Sequence, residues 1–242
     1  MALLNTKGLQ KYYGSRLVVK GVDIEVGNQE IVGLLGPNGA GKTTSFYMIA
    51  GLVPPSEGNV FFSKEDITRM PMHKRAQVGM GYLPQEESIF RQLTVEENLM
   101  AVLEARKDLG PKARKRKADE LLEKFSITRL RKSKAIALSG GEKRRLSIAR
   151  CLCTDPKLLM LDEPFSGVDP IAVKEIQSIV KELRETEGIS ILITDHNVRE
   201  TLQIVDKAYI LHDGQVILKG TMEELVNDPI ARETYLGEDF KM

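Results

Sequence analysis

Short apolar runs recur along the chain, and most of them are bounded by glycine, proline or polar residues. Between residues 3 and 26 these runs are continuous or alternate with polar positions, which predicts short strands separated by turns at Gly14 and Gly21. Tyr12 and Tyr13 bring two aromatic rings to the first turn. The rings suit either a stacking platform for a purine or ordinary packing on a β-sheet, and the local pattern fits both.

The rest of the chain alternates between strand-like and helix-like patterns. Apolar runs predict strands at 31–35, 58–62, 79–83, 158–161 and 189–194, and a hairpin of 208–211 with 215–218 around an Asp-Gly turn. Helices are predicted after residue 44, over most of 94–130, and near 171–185. Pro111 divides the middle stretch into two helices, and Thr94 with Glu97 has the form of a capping box at its start. This order predicts an α/β fold with a helical insertion.

The composition is that of an ordinary globular protein. A chain of 242 residues, with 42% hydrophobic and 29% charged residues, is long enough to bury a full core as one α/β domain, or as one domain that carries an inserted subdomain. The net charge of +1 gives no overall attraction to nucleic acid. Cys151 and Cys153 lack metal and redox spacings and fit small core residues in a reducing cytosol. No apolar stretch approaches the roughly 18 residues of a membrane span, and no signal-peptide pattern begins the chain. If the protein serves a membrane, we expect a partner to span it.

The charge is unevenly distributed along the chain. Residues 106–134 contain 12 Lys or Arg and 4 Asp or Glu. The densest part is Lys-Ala-Arg-Lys-Arg-Lys at 112–117, which opens the second helix of the insertion. Such a run is usually a solvated helix face, although it also suits contact with anionic lipid or with a partner. The pattern leaves these interpretations open.

The segment 36–44 reads Gly-Pro-Asn-Gly-Ala-Gly-Lys-Thr-Thr and lies between a predicted strand and a predicted helix. It fits the G-x-x-x-x-G-K-[ST] pattern of a phosphate-binding loop. Glycines let the backbone N–H groups face one phosphate chain, and the helix adds its positive dipole end. Lys42 supplies a charge for the outer phosphates, and the Thr43 hydroxyl is placed to bind Mg²⁺. The predicted nucleotide-binding residues are Gly36, Pro37, Asn38, Gly39, Ala40, Gly41, Lys42, Thr43 and Thr44.

A second predicted strand, 158–161, ends in two carboxylates, Asp162 and Glu163, and Pro164 follows. A hydrophobic strand that ends in Asp beside a phosphate-loop strand is the usual second half of a nucleotide–Mg²⁺ site. Asp162 is expected to hold the metal through water, and Glu163 to polarise an attacking water. Adjacent carboxylates also occur on plain surface loops, but delivery by a buried strand favours the catalytic interpretation.

The residues between these motifs resemble a known family. Leu-Ser-Gly-Gly-Glu at 138–142 ends 20 residues before Asp162 and is followed by a basic helical segment. It is similar to the signature of the ATP-binding-cassette (ABC) family. Gln85, the segment 166–169 and His196 also stand in the family's order. The resemblance implies one ABC nucleotide-binding domain over 1–242: a RecA-like P-loop NTPase core (1–85 and 156–242) with an N-terminal antiparallel β subdomain, and an inserted helical subdomain (about 86–155).

The resemblance also implies individual roles. Tyr13 matches the ring that stacks on adenine, and Asp169 matches a loop that crosses the dimer interface. The implied catalytic residues are Glu163, His196 at the γ-phosphate and Gln85; the implied metal set, through water, is Thr43, Gln85 and Asp162. In this family the signature acts on the nucleotide held by the partner, which here involves Ser139, Gly140, Gly141 and Glu142. Two ATP molecules are then sandwiched in a two-fold homodimer.

Several stretches narrow the resemblance within the family. The segments 81–91, 162–170 and 194–200 and the ending 235–240 are similar to ATPase subunits of bacterial lipopolysaccharide exporters. Ser166 departs from the alanine expected there, one small residue for another. The implied partner is a pair of transmembrane permease subunits at the cytoplasmic face of the inner membrane. Phe90 and Arg91 are then expected to line the groove for a permease coupling helix; a packed Phe beside a solvated Arg is the alternative.

Other classes of protein remain as alternatives. Branched-chain amino-acid import ATPases share parts of these motifs and are the nearest. A soluble ABC ATPase acting on nucleic acid or ribosomes is less favoured, because the chain has no second cassette or coiled-coil insert and its basic cluster lacks interleaved aromatics. The signature argues against a P-loop kinase or GTPase, and intact Glu163 and His196 argue against a module that only binds. We predict an ATPase that uses ATP and Mg²⁺ and does not bind nucleic acid.

Overall fold

The computed structural model describes residues 2–86, 88–237 and 240. Its strands are β1 (Ala2–Tyr13), β2 (Arg16–Val22), β3 (Glu25–Gly27), β4 (Ile31–Leu35), β5 (Glu57–Phe62), β6 (Glu65–Asp66), β7 (Met80–Leu83), β8 (Leu158–Asp162), β9 (Ser190–Thr194), β10 (Lys207–His212) and β11 (Gln215–Gly220). Its α-helices are α1 (Lys42–Ala50), α2 (Met72–Gln77), α3 (Val95–Leu103), α4 (Pro111–Lys124), α5 (Gly140–Leu152), α6 (Pro170–Glu187), α7 (Val198–Leu202), α8 (Met222–Asn227) and α9 (Pro229–Ala231). Short turns of other helix types lie at Thr128–Leu130, Ala135–Ala137 and Arg232–Leu236.

Two sheets organise this part of the chain. The first is antiparallel, in the order β2-β1-β5-β6 with β3 beside β1. The second has the order β11-β10-β4-β9-β8-β7, in which all neighbours from β10 to β7 are parallel and β11 is antiparallel at the edge. The carboxyl ends of β4, β9, β8 and β7 therefore lie side by side along one edge, where open α/β sheets bind ligands.

The parallel sheet separates two hydrophobic cores. Leu159 and Leu161 of β8 pack into a core shared with α3 to α6, whereas Leu158 and Met160 pack into a core shared with α1 and the antiparallel sheet. All five residues of β8 are buried, which explains why its first four residues are all apolar instead of alternating with polar ones. The two-residue period of a strand places Asp162 on the side of α1.

The helical insertion contains the predicted elements. At the start of α3 the Thr94 hydroxyl accepts a hydrogen bond from the Glu97 N–H at 3.2 Å, and the Glu97 carboxylate accepts one from the Thr94 N–H at 2.7 Å. Pro111 is the first residue of α4, a position that needs no N–H donor. The basic run 112–117 lies in α4, where Lys117 pairs with Asp155 at 2.6 Å. The predicted capping box and the predicted helix boundary are both confirmed.

The N-terminal prediction was partly wrong. Instead of several short strands, β1 runs unbroken for 12 residues, and Gly21 lies inside β2 instead of in a turn. Gly8 and Gly21 have φ angles of 57° and 89°, and the register shifts between Leu9 and Gln10. Glycine at these positions bends the paired strands without ending them, as in a β-bulge. The turn predicted at Gly14 is present between β1 and β2.

The sequence did not predict β6 or α2, because the segment between β5 and β7 is polar. Arg75 of α2 is 1% exposed, and its guanidinium group is hydrogen-bonded to the backbone. Its guanidinium donates hydrogen bonds to the carbonyl oxygens of Met48, Ile49, Ile67, Thr68 and Met70 at 2.5–3.0 Å. An arginine that looks like a surface residue in the sequence thus ties α1 to the segment before α2.

The remaining sequence predictions concern the thiols, membrane spans and residues outside the described set. Cys151 and Cys153 are free thiols, and burial raises the pKa of the Cys153 thiol to about 12. Across residues 2–86, 88–237 and 240, every helix is too short or too polar to span a membrane. Glu87 of segment 81–91, and Glu238 and Asp239 of the ending 235–240, lie outside the described residues.

Candidate active site

The phosphate loop connects β4 to α1 at the carboxyl edge of the parallel sheet. Gly36, Gly39 and Gly41 have φ angles of 143°, 80° and 92°, which residues with a side chain avoid. A Cβ at Gly36 would lie 2.1 Å from the carbonyl oxygen of Leu211, so packing also requires glycine there. A Cβ at Gly39 would meet no atom within 4 Å, so the tip of the loop opens on the space that a phosphate chain needs.

Lys42, the first residue of α1, is buried against the loop that precedes it. Its ammonium group donates hydrogen bonds to the carbonyl oxygens of Gly36 at 2.6 Å and Pro37 at 3.0 Å. Burial lowers the pKa of Lys42, and the charges of Glu163 and Asp195 oppose that shift. A cation is therefore held inside the loop, where it complements phosphate oxygens.

Asp162 ends β8 and is 2% exposed. Its Oδ2 atom accepts a hydrogen bond from the Tyr82 hydroxyl at 3.0 Å. Burial raises the pKa of Asp162, whereas hydrogen bonds from Tyr82 and Tyr47 lower it. Sequence reasoning missed both tyrosines as site residues. The β7–β8 register pairs Tyr82 with Met160, two residues before Asp162, and only this register reveals that Tyr82 and Asp162 share a face.

Glu163 is the point where the predicted catalytic residues meet. Its Oε2 atom accepts a hydrogen bond from Nε2 of Gln85 at 2.8 Å and lies 3.4 Å from Nδ1 of His196. Its backbone has a φ of 45°, unusual for a residue with a side chain, and its N–H donates to the carbonyl oxygen of Thr194 at 2.7 Å. The loops after β7 and β9 thus bring two polar side chains, Gln85 and His196, to one carboxylate oxygen of Glu163, which follows β8.

Asp195, which sequence reasoning also missed, holds the loops after β8 and β9 together. It is fully buried, and it accepts hydrogen bonds at 2.8 Å from the N–H groups of Phe165 and Asn197. The Asn197 side chain returns a hydrogen bond to the carbonyl oxygen of Phe165 at 3.1 Å. Burial raises the pKa of Asp195, and the two backbone hydrogen bonds oppose that rise. This clamp fixes the segments that carry Glu163 and His196.

The signature residues begin α5. The Ser139 hydroxyl accepts a hydrogen bond from the Glu142 N–H at 3.4 Å, and the Glu142 carboxylate accepts from the Ser139 N–H at 3.0 Å, which forms a capping box. Gly140 is exposed, and a Cβ there would meet no atom within 4 Å. The signature glycines line a cavity of about 290 Å³ together with Gln85, Glu163 and Asp169. Residues 36–44 do not line this cavity.

Two further predicted residues lie at element ends. Tyr13 ends β1 and is 50% exposed, with the Lys11 ammonium 5.4 Å from its ring centroid. Half of this residue's surface is therefore accessible to a ligand, which does not match ordinary packing inside a sheet. Asp169 is the N-cap of α6 and accepts hydrogen bonds at 3.0 Å from the N–H groups of Ile171 and Ala172. Asp169 therefore has a structural role in addition to any role at an interface.

The predicted coupling residues lie on a rigid surface turn. Phe90 is 47% exposed, and the Arg150 guanidinium lies 4.6 Å from its ring centroid. The buried side chain of Asn98 hydrogen-bonds both the N–H and the carbonyl oxygen of Phe90, at 2.8 and 3.0 Å. The carbonyl oxygen of Arg91 accepts from the N–H of Ile136 at 2.9 Å, and the Arg91 residue is exposed. The backbone is thus fixed while both side chains face solvent.

The donor set suits Mg²⁺ bound together with a nucleotide. Thr43, Gln85 and Asp162 offer oxygen atoms, which hard divalent cations prefer. Among the described residues, no three His, Cys, Asp or Glu side chains cluster as a self-sufficient metal site. Mg²⁺ usually binds through one or two carboxylates, substrate phosphates and water, so this composition fits a metal that enters with phosphates.

Comparisons with known proteins agree with this arrangement. The family model described as "ABC transporter" matches residues 19–166. The "Lipopolysaccharide export system ATP-binding protein LptB" of Haemophilus influenzae is 56% identical over 242 residues, with 100% of each chain covered. The protein of the same name from Escherichia coli K12 is 53% identical, again over 100% of each chain.

Solved structures show the same fold. A crystal structure described as the ADP conformation of an ATP-binding cassette of an ABC transporter matches with a TM-score of 0.87 and 30% identity, covering 98% of this chain and 100% of that one. A nucleotide-free cassette of an ABC transporter matches with a TM-score of 0.86 and 31% identity, with the same coverage. The fold, the ATPase class and the family resemblance predicted from the sequence are confirmed, and the chain belongs to the ABC transporter family.

Proposed function

We propose that this chain is the ATP-hydrolysing subunit of a lipopolysaccharide exporter. Identity of 52–56% with lipopolysaccharide export ATP-binding proteins, over essentially the whole of each chain, supports the cargo assignment. The proposed partners are a second copy of the chain and an LptF/LptG-like pair of permease subunits. The chain is then peripheral, held at the cytoplasmic face of the inner membrane by those subunits.

The observation that carries the chemistry is the convergence on Glu163. In the proposed mechanism Glu163 polarises the attacking water, because its carboxylate is held by Gln85 on one side and lies beside His196 on the other. His196 is half-exposed and turns its second ring nitrogen away from Glu163, which suits contact with the γ-phosphate. The clamp formed by Asp195 keeps both segments in place.

The phosphate loop and Lys42 bind the phosphates and stabilise charge on the transferring group. Thr43, Asp162 and Gln85 are the residues that would hold Mg²⁺, which supplies further charge stabilisation when bound. Tyr13 offers its exposed ring to the adenine base. Each of these roles agrees with the burial and the contacts of the side chain concerned.

The homodimer follows from the exposed signature. Ser139, Gly140 and Gly141 present a helix N-terminus to solvent, and backbone N–H groups at such an end attract anions. In a two-fold arrangement each signature contacts the nucleotide held by the other chain. Opening and closing of this dimer is the motion that the permease would use.

The proposed permease groove lies next to Phe90. Arg150 stacks on Phe90 and also lines a cavity of about 180 Å³, together with Met72, Tyr82 and Cys151. Apolar residues and the cation of Arg150 line this cavity, a combination that suits an amphipathic helix that carries an acidic residue. Arg91 adds a second exposed cation at this edge.

Co-purification from detergent-solubilised membranes of the native host tests the proposal. We expect tagged chain to recover a pair of permease subunits, and Phe90→Ala to lose them. Phe61→Ala is the matched control, since Phe61 also carries a stacked cation, Lys7 at 5.3 Å, but lies on β5 of the antiparallel sheet. Recovery of a branched-chain amino-acid permease pair would replace the cargo assignment, and recovery of ribosomes or repair factors without membrane proteins would overturn the transporter role.

A further inference from the structure

Tyr82 lies between the candidate metal site and the proposed permease groove. Its hydroxyl donates a hydrogen bond to Asp162, and the residue also lines the cavity of about 180 Å³ beside Arg150. The ring lies against Phe46 of α1, with centroids 6.3 Å apart and planes inclined by 51°. Tyr47, next to Phe46, also interacts with Tyr82 and Asp162, and its pKa is raised by burial and by the Asp162 carboxylate. One side chain therefore touches two regions that the proposed mechanism must connect.

The need for such a contact follows from the position of Asp162. Asp162 is the last residue of β8, and Glu163 immediately leaves the strand with a positive φ. The sheet fixes the backbone of Asp162 through its pairing with Thr194, but this pairing does not fix the rotation of the carboxylate. A hydrogen bond from a rigid, largely buried phenol restricts that rotation, because the Tyr82 ring is confined by Phe46 and by the sheet.

We propose that Tyr82 is a positioning residue, supported by Tyr47, which orients the Asp162 carboxylate toward Mg²⁺-bound nucleotide and ties that orientation to the wall of the permease groove. The inference rests on the proposed function, in that the site must bind ATP with Mg²⁺. It adds a path from groove to metal site that is separate from Gln85. Tyr82 does not touch the reacting atoms; it acts through Asp162.

The test removes one hydroxyl group and keeps the ring. Tyr82→Phe is made in the full chain carrying Glu163→Gln, so that hydrolysis does not consume ATP. Tyr209→Phe in the same background is the control, because Tyr209 is also buried and its hydroxyl hydrogen-bonds the backbone of Glu25 on another strand. The thermal shift produced by saturating ATP is measured over a Mg²⁺ titration and again in EDTA.

We expect Tyr82→Phe to raise the half-saturating Mg²⁺ concentration by about three- to tenfold, in keeping with the loss of one hydrogen bond of ordinary strength. In EDTA, the thermal shift that ATP produces in Tyr82→Phe should equal that of the parent. Tyr209→Phe should give the same thermal shifts as the parent, both in the Mg²⁺ titration and in EDTA. Tyr47→Phe, which removes only the supporting hydroxyl, should give a smaller shift in the same direction.

Four results would decide against the inference or against its basis. An unchanged Mg²⁺ titration in Tyr82→Phe would overturn it, as would an equal loss of ATP binding with and without Mg²⁺. If Tyr82→Phe unfolds, an unchanged titration in Tyr47→Phe would overturn it instead. A parent chain that shows no Mg²⁺-dependent response to ATP would contradict the proposed function itself, and circular dichroism separates that case from misfolding.

Discussion

The two glycine-containing motifs of this chain differ in how the fold constrains them. In the phosphate loop, Gly36 is enclosed: a Cβ would overlap the backbone of Leu211, and Lys42 is folded back on the loop carbonyls. In the signature, Gly140 has open space around it and its helix end is exposed. The first motif is completed by its own chain, whereas the second presents its N–H groups to solvent.

This difference distinguishes a glycine that folding requires, Gly36, from one that it does not, Gly140. Glycine at position 36 is required for folding, because both its φ angle and its neighbours exclude a side chain. Nothing in the fold of one chain requires glycine at position 140. The chain leaves room for a side chain at position 140, yet the residue there is glycine. This indicates that another molecule approaches the Gly140 backbone closely, and the proposed dimer supplies that molecule.

The largest expected effect comes from breaking the enclosed motif. Gly36→Ala should destabilise the fold by about 3 kcal/mol or more, since the new Cβ combines overlap with a disfavoured φ. Urea unfolding measures this change, and ATP binding should be lost with it. Gly140→Ala is the matched variant and should unfold within about 0.5 kcal/mol of the parent.

The same Gly140→Ala variant separates folding from catalysis. Its ATPase activity should fall by about tenfold or more, because a Cβ pushes the backbone away from the partner's phosphate chain and small misplacements are costly. Steady-state phosphate release measures the loss. Unchanged activity in a folded variant would remove the signature from the nucleotide site.

Glu163→Gln tests whether the Glu163 carboxylate acts as the base in ATP hydrolysis. The amide can still hydrogen-bond near Gln85 but cannot act as a base, so turnover should fall by about 10²- to 10⁴-fold. ATP affinity should be retained, and closed dimers should accumulate in size-exclusion chromatography with ATP and Mg²⁺. Normal hydrolysis by this variant would exclude Glu163 from the role assigned to it.

Asp195→Asn tests the clamp behind the site. One backbone N–H loses its acceptor, so stability should fall by about 1–3 kcal/mol, and turnover should fall because the segments of Glu163 and His196 loosen. Asp206→Asn is the control: Asp206 accepts from the N–H of Ile31 at 2.8 Å, at the start of β4. Because Asp206 is exposed, this change should cost less stability than Asp195→Asn and should not slow turnover. Equal turnover in both variants would refute the clamp's catalytic role.

The smallest expected effect is a pH dependence at the signature helix. Hydrogen bonds from Ser139 hold the pKa of Glu142 below its ordinary value of 4.5. A carboxylate with a lowered folded pKa stabilises the fold above its unfolded pKa, and this contribution is lost as the pH falls through the folded value. Glu142→Gln should therefore lose less stability than the parent between about pH 5 and pH 3. A parallel acid dependence in the two proteins would show that the hydrogen bonds do not matter.

The sequence predicted what depends on local patterns. Apolar runs located the parallel strands, Thr94 and Pro111 located the helix boundaries, and motif order gave the family. It did not reveal what depends on register or burial: Tyr82 meets Asp162 only through the pairing of β7 with β8, and Asp195 resembles any loop acid until its complete burial is seen. The complete burial of Arg75 was likewise not visible in the sequence.

The most direct test of the two-chain site is complementation between two inactive variants. Lys42→Ala disables the phosphate loop and Gly140→Asp disables the signature, so neither homodimer should hydrolyse ATP. In a mixture, the two-fold arrangement gives each mixed dimer one intact site, and activity should recover to roughly a quarter of the parent value. Activity no higher than the sum of the separate variants, with mixed dimers shown to form, would contradict the proposal that each site is built from both chains.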